Sequence, residues 1–277
     1  LERDFERTVA SLAAAIEAKD PTTEGHVQRV AHLAVLVGRK LGYDERRLRR
    51  KLLTLQHGDE VMVDFPQTVT LEDRSGLQLE DGRIVQCVPE AKRAWHAGVS
   101  SWAGEEDINS CSIGIEIINR GHDWGYPDFP LRQIAAVIAL CRGIMLRRNI
   151  PSHRVLAHSD VAPARKRDPG EKFPWHSLAN SGVGHWVQPA PIVRGEPLKL
   201  GSISDDVAGL QAALARYGYN IPTRGKFDGP TMEVVTAFQR HFRPARVDGI
   251  ADHSTISTLH ALLASLPPEA ATVVAAR

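Results

Sequence analysis

The sequence predicts a mixed α/β domain with a central sheet and flanking helices, preceded by a helical hairpin and followed by a small helical unit. Three observations carry this. Ser112 to Ile118 is an almost continuous apolar run of the kind buried in a sheet. Ile134, Val137, Ile138, Cys141 and Met145 form one face of a helix from Leu131 to Asn149, stopped by Pro151. Beyond a break at Gln188-Pro189-Ala190-Pro191, turn motifs alternate with short helical stretches. With 277 residues, 43% hydrophobic and 24% charged, the chain accommodates two compact domains and does not have the composition of a disordered one.

In chain order, Phe5, Val9, Leu12 and Ile16 recur at helical spacing up to Asp20-Pro21, where proline disfavours helical geometry in the residue before it. Thr22 or Thr23 caps a second helix with the stripe Val30, Leu33, Val37 and Leu41, ending at Gly42. Residues 1–51 form this hairpin, and 52–82 are expected to be an irregular junction, with a candidate strand at Glu60 to Thr70. The α/β domain covers 83–187 and opens with a strand over Arg83 to Val88. A linker (188–201), a helical unit (202–266) and a tail (267–277) complete the chain. Within the helical unit a faint repeat pairs Phe227-Asp228-Gly229, leading to Thr231, with Val247-Asp248-Gly249, leading to Thr255. The unit is expected to fold as an independent anchor.

The net charge is +1, from 34 basic against 33 acidic residues, so no overall field draws the chain to nucleic acid or to an anionic membrane. Arg46, Arg47, Arg49, Arg50 and Lys51 read as a solvated helix end. Cys87, Cys111 and Cys141 are odd in number and widely spaced in apolar contexts, which suits buried thiols rather than a disulfide framework or a CxxC metal site. No apolar run reaches the length of a membrane span, and no secretory signal pattern occurs in these residues.

Chemistry is suggested at a few positions. Glu116 interrupts a strand rich in isoleucine, and a carboxylate buried there without a partner would cost several kcal/mol. It therefore faces a cleft or an ion-pair partner, and the residues alone leave catalytic base and structural ion pair both open. His158 ends an apolar segment, and ten residues on Asp168 sits on an Asp-Pro-Gly turn. Imidazole nitrogen and carboxylate oxygen both suit zinc, although by spacing alone a packing histidine and a simple turn remain open.

The succession Val88-Pro89-Glu90, Ala94-Trp95-His96-Ala97-Gly98, Asn109, Ser112-Ile113-Gly114-Ile115-Glu116, Ala157-His158-Ser159-Asp160 and Asp168-Pro169-Gly170 resembles the type 2 zinc N-acetylmuramoyl-L-alanine amidases, which share a fold with peptidoglycan recognition proteins. The resemblance implies a hydrolase of the amide between N-acetylmuramic acid and L-alanine, acting on peptidoglycan or muropeptides in the cell envelope, periplasmic or secreted, with a cytoplasmic location left open. It implies Zn2+ held by His158 and Asp168, Glu116 as general base and Lys166 as oxyanion stabiliser. It also implies Trp95, His96, Trp102 and Asn109 on the substrate side, with Trp95 and Trp102 as core aromatics the competing reading. Val207 to Leu263 is similar to the three-helix peptidoglycan-binding module often appended to such enzymes.

Two departures matter. The His-Tyr-Thr strand that supplies that family's first zinc histidine is missing, and Ala13 to Pro21, Gly25-His26 and Arg29-Val30 instead resemble the opening of HD-GYP phosphodiesterase domains. His57, after the apolar run Leu52-Leu53-Thr54-Leu55, is the candidate third zinc ligand, against the plainer reading of an exposed loop histidine. With an incomplete site the alternative is a non-catalytic peptidoglycan-binding protein with a degraded zinc centre.

Overall fold

The computed structural model describes residues 76–78, 82, 84–86, 88–119, 121, 122 and 125–267. The expected helical hairpin, the strand at Glu60 to Thr70, His57, the 46–51 basic cluster and Cys87 lie outside the described residues.

Strands β1 (Gly76–Gln78) and β2 (Ile84–Gln86) pair antiparallel with Leu77 opposite Val85. Between them Gly82 has φ 88°, a conformation that glycine adopts without a Cβ clash. β1 thus lies inside the stretch expected to be irregular, where the Asp81-Gly82 dipeptide between short β-compatible segments is a hairpin signal in the sequence.

Helix α1 (Ile108–Cys111) is one turn and carries Cys111 on its outer side. Cys111 is exposed, contrary to the expectation of a buried thiol, whereas Cys141 is buried. Helix α2 (Leu131–Arg148) follows the expected boundaries. Its Asn149 cap is left-handed (φ 52°), and Ile150-Pro151 cannot continue the helix. Arg147 and Arg148, favourably placed at the negative end of the helix dipole, reach Glu90 at 2.5 and 3.0 Å.

Ile134, Val137 and Cys141 of α2 pack with Tyr126, Phe129, Phe173, Trp175, Leu178 and Val183, and Ile115 and Ile117 rest against this cluster. Side chains of an extended segment alternate between faces, so seating Ile115 and Ile117 on the core turns Glu116 the other way. Among the described residues Ser112–Ile118 carries a single bridge position, at Ile117, rather than the ladder expected of a strand. Gln133, fully buried, anchors it by donating from Nε2 to the Ile118 carbonyl at 2.8 Å.

A short 3-10 turn (Ser152–Arg154) and helices α3 (His158–Val161) and α4 (Trp175–Asn180) complete this half. Helices α5 (Asp205–Tyr217), α6 (Gly229–Phe242) and α7 (His253–Ser265) form the C-terminal module. Its repeat is physical but shifted from the expected register. Asp228 caps α6 through Thr231, and Asp252, rather than Asp248, caps α7 through Thr255. Gln211 and Gln239 play matching roles, each buried and each bridging the turn before the next helix to that threonine. Asp248 lies in the second of these turns, where its N–H donates to Gln239 Oε1.

The module is not an independent bead. Ala97, Trp102, Ile108 and Val161 belong to the same apolar cluster as Leu210, Leu214, Phe238, Leu259 and their neighbours, and α3 packs on α6. The expected linker is likewise laid along the module: Ala190 exchanges hydrogen bonds with Thr258 and Ser254, and Leu198 pairs with Ala251.

Candidate active site

His158 opens α3, and the ten-residue loop beyond it folds back so that Asp168 Oδ2 lies 2.9 Å from His158 Nδ1. The closure is doubled in the main chain, where Ser159 N donates to Asp168 O at 3.1 Å. From below, the Tyr126 hydroxyl donates to Pro169 O at 2.7 Å and accepts from Lys172 N at 3.0 Å. Tyr126 has φ 28°, a backbone state that persists where the surroundings over-determine it. The Gly125-Tyr126-Pro127 tripeptide, which belongs to no motif by sequence, thus supports the aspartate turn.

The facing wall is Ala94 to Val99. Arg165 Nη2 donates to Ala97 O at 2.7 Å and Val99 O at 2.8 Å, and His158 Nε2 lies 3.1 Å from the same Ala97 carbonyl. On the other side the buried Asn109 accepts from both His96 N and Ala97 N, each at 2.9 Å. A single amide oxygen thereby sets two consecutive peptides. His96 Nε2 is 2.8 Å from Ser112 Oγ, and the imidazole lies directly over Gly114, where a Cβ would approach Cδ2 to 2.5 Å. Only glycine permits that approach. Ser112 lies in the Ser112–Glu116 motif without a role assigned to it, and nothing in the local sequence marks Arg165; their partners are 16 and 66–68 residues away.

Electrostatics joins these groups into one cluster. Burial pushes the Glu116 carboxyl above its ordinary value and the charge of Asp168 adds to this, against His158 and Lys166. Burial would also raise Asp168, but its hydrogen bond and charge pairing with His158, together with Lys166, hold it below the usual carboxylate range. Burial and the neighbouring His158 depress His96. Glu116 and Asp168 remain open to solvent on one side, Asp168 with 56% of its side chain accessible. The shifts therefore reflect the crowd of protein atoms behind each carboxylate rather than full enclosure.

Trp95 is exposed beside this wall, with the Arg93 guanidinium 4.0 Å above its ring. Trp102 is not on the wall. It is 3% exposed, edge-on to Tyr219 with centroids 4.9 Å apart, and seated against Gly218, where a Cβ would fall 2.5 Å from Cε2. The expectation of Trp102 as a substrate contact is corrected to a core residue. An indole adjoining an apolar module surface is worth more buried there than exposed, by about 2–3 kcal/mol.

The donor pair suits zinc in kind and in mutual placement, since nitrogen and carboxylate oxygen converge from a closed loop. Among the described residues no group of three or more His, Cys, Asp and Glu that could hold a metal ion is present. A catalytic zinc takes three protein donors, and His158 and Asp168 bring together two atoms of a suitable kind.

An imidazole–carboxylate pair, a nearby carboxylate of raised proton affinity and a lysine are the kinds of group that metal-assisted hydrolysis uses. The N-acetylmuramoyl-L-alanine amidase family matches residues 76–171, and a putative peptidoglycan binding domain matches 204–259. The N-terminal domain of the UreE urease accessory protein matches residues 40–89, overlapping the start of the amidase match. N-acetylmuramoyl-L-alanine amidase AmiD of Escherichia coli is 41% identical over 189 residues, 65% of this chain and 67% of that protein. The 1,6-anhydro-N-acetylmuramyl-L-alanine amidase AmpD of Citrobacter freundii is 46% identical over 96 residues, 34% of this chain, which spans only 49% of AmpD. Among solved structures, AmiD from E. coli with the substrate anhydro-N-acetylmuramic acid-L-Ala-D-gamma-Glu-L-Lys is similar, with TM-score 0.56 and 40% identity over 66% of this chain and 72% of that one. AmpDh3 from Pseudomonas aeruginosa gives TM-score 0.54 and 35% identity over 67% and 74%. The chain belongs to the N-acetylmuramoyl-L-alanine amidase family.

Proposed function

We propose that this chain hydrolyses the amide between N-acetylmuramic acid and L-alanine in peptidoglycan or its soluble fragments, in the cell envelope. The observation that carries the reading is the closed His158–Asp168 pair electrostatically coupled to Glu116 and Lys166. His158 and Asp168 would hold Zn2+, with His57 as third ligand. When bound, the ion supplies Lewis acidity toward the scissile carbonyl and the attacking water. Glu116, solvent-accessible and of raised proton affinity, takes the proton of that water and passes it to the leaving amine of L-alanine as the C–N bond breaks and the C–O bond forms. Lys166 balances charge on the carbonyl oxygen. Trp95, His96 and Asn109 shape the substrate side, Asn109 by fixing the peptides on which His96 stands.

In this reading 83–187, extended at its start by the β1–β2 hairpin, is the amidase domain, built around a mixed sheet. Residues 1–51 and 52–82 precede it as the HD-GYP-like segment and junction, 188–201 form the connection, 202–266 the peptidoglycan-binding module and 267–277 the tail. No helix among the described residues is long and apolar enough to cross a membrane. The second reading, a wall-binding protein without turnover, draws on the two-donor count among the described residues.

Release of stem peptide from a soluble muropeptide, with zinc content measured in parallel, separates the two. One zinc per chain with turnover supports the enzyme; a folded chain with neither supports the binder. His57→Ala is expected to lower zinc occupancy, and unchanged occupancy would remove His57 from the site.

A further inference from the structure

Asp160 stands two residues beyond His158 with its side chain enclosed, the residue being 1% exposed. Its carboxylate accepts three hydrogen bonds. Oδ2 takes the N–H of Ala157 at 2.8 Å and that of His241 Nδ1 at 2.6 Å, and Oδ1 takes the Tyr219 hydroxyl at 2.7 Å. Ala157 belongs to the catalytic half; Tyr219 and His241 belong to the module. The His241 ring is itself clamped, stacked on Trp175 at 3.8 Å and on Phe242 at 3.7 Å.

α3 is a single turn, too short to stabilise itself. No side chain of the residue before it caps it, and its entrance is held by the Ala157 N–H on Asp160. An enclosed carboxylate demands donors, and two of the three here come from the module. Were either lost, the carboxylate would turn toward what remains, Ala157 would lose its acceptor, and the turn presenting His158 would loosen. One further contact crosses the same seam, Ala103 N donating to Gly218 O at 2.7 Å, and behind it Ser101 N donates to Val161 O of α3 at 2.9 Å.

We infer that the peptidoglycan-binding module is a structural part of the catalytic site, with Tyr219 and His241 as positioning residues that fix, through Asp160, the turn presenting His158 to Asp168. The catalytic consequence rests on the amidase reading; the positioning does not.

The test uses the full chain as wild type, Tyr219→Phe, His241→Ala and His241→Asn, with Leu259→Ala as a control that damages the module core but removes no hydrogen bond to Asp160. Tyr219→Phe keeps its ring and removes only the donor; asparagine returns a donor near the Nδ1 position. Amide exchange at Ala157 to Asp160 is expected to quicken about ten-fold in Tyr219→Phe and His241→Ala, to recover in His241→Asn, and to stay at the wild-type rate in Leu259→Ala where that variant is folded. Zinc affinity and kcat on a soluble muropeptide are expected to fall about three- to ten-fold in the same two variants, with KM held within about two-fold, less than the loss of a direct partner of a metal ligand because these residues act one step further out, through Asp160. Exchange unchanged in both variants, or equally quickened in Leu259→Ala, overturns the inference. A wild type without turnover removes the amidase reading, and exchange then still decides the positioning.

Discussion

In the module, all three helices open on a side-chain cap: Ser204, Asp228 and Asp252 each accept from the backbone N–H three residues on. In the catalytic half, none of α1 to α4 has such a bond from its N-cap residue. There the polar contacts reach much further along the chain, 68 residues from Arg165 to Ala97 and 43 from Tyr126 to Pro169. The module is built from local rules repeated, with Gln211 and Gln239 each tying a turn to the following helix. The catalytic half is built from distant partners whose geometry serves the cluster at His158. Damage to the module's caps and turns should therefore register as stability, and damage in the catalytic half, or at the module residues that hold Asp160, as chemistry.

Asp168→Ala would sharpen that contrast most: zinc content and turnover should both fall to background, because a donor is removed. Retained zinc would take Asp168 out of the site. Next comes Glu116→Ala, expected to keep its zinc while losing about 10²–10⁴ in rate. Equal turnover in wild type and Glu116→Ala would end the assigned mechanism.

Asn109→Ala should show both kinds of effect, since it orphans two peptide N–H groups behind the wall: about 1–3 kcal/mol of stability by denaturant titration, with a raised KM. Asp228→Ala, a cap in the module, should cost about 1 kcal/mol and leave turnover of a soluble muropeptide unchanged. A rate loss there would break the division between the two regions.

The smallest effect is one of pH. His185 joins the halves, 2.8 Å from Tyr217 Oη and 2.9 Å from Ser265 Oγ, and burial, with His153 and His241 nearby, pushes it down to about 4. Its folded value lies below its unfolded one, so the unfolded chain binds the extra proton first. Its contribution to stability is complete above about pH 6.5 and is lost as pH falls through about 4. Thermal scans of His185→Gln should show a shallower decline across that window than wild type; parallel curves would exclude His185 as a source of it.

Local pattern made much of the molecule legible. The α2 stripe and its Asn149 to Pro151 stop, the turn and cap residues of the module, and the isoleucines flanking Glu116 are short-range features, and their periodicity dictates which face is buried. The motif order from Val88 to Gly170 likewise pointed to the amidase chemistry. What the sequence could not disclose depends on residues far apart in the chain. Trp102 read as a candidate substrate contact because exposure is not written in an indole, and only Gly218 and Tyr219, more than a hundred positions on, bury it. The module read as an independent anchor because its own apolar residues suffice for a core, yet an enclosed Asp160 needs donors that its own half does not provide. By itself the sequence determined which residues carry charge, metal-ligating atoms and helical faces. The tertiary structure decided which of them meet, because hydrogen bonds and close packing are satisfied by neighbours in space, whatever their separation along the chain.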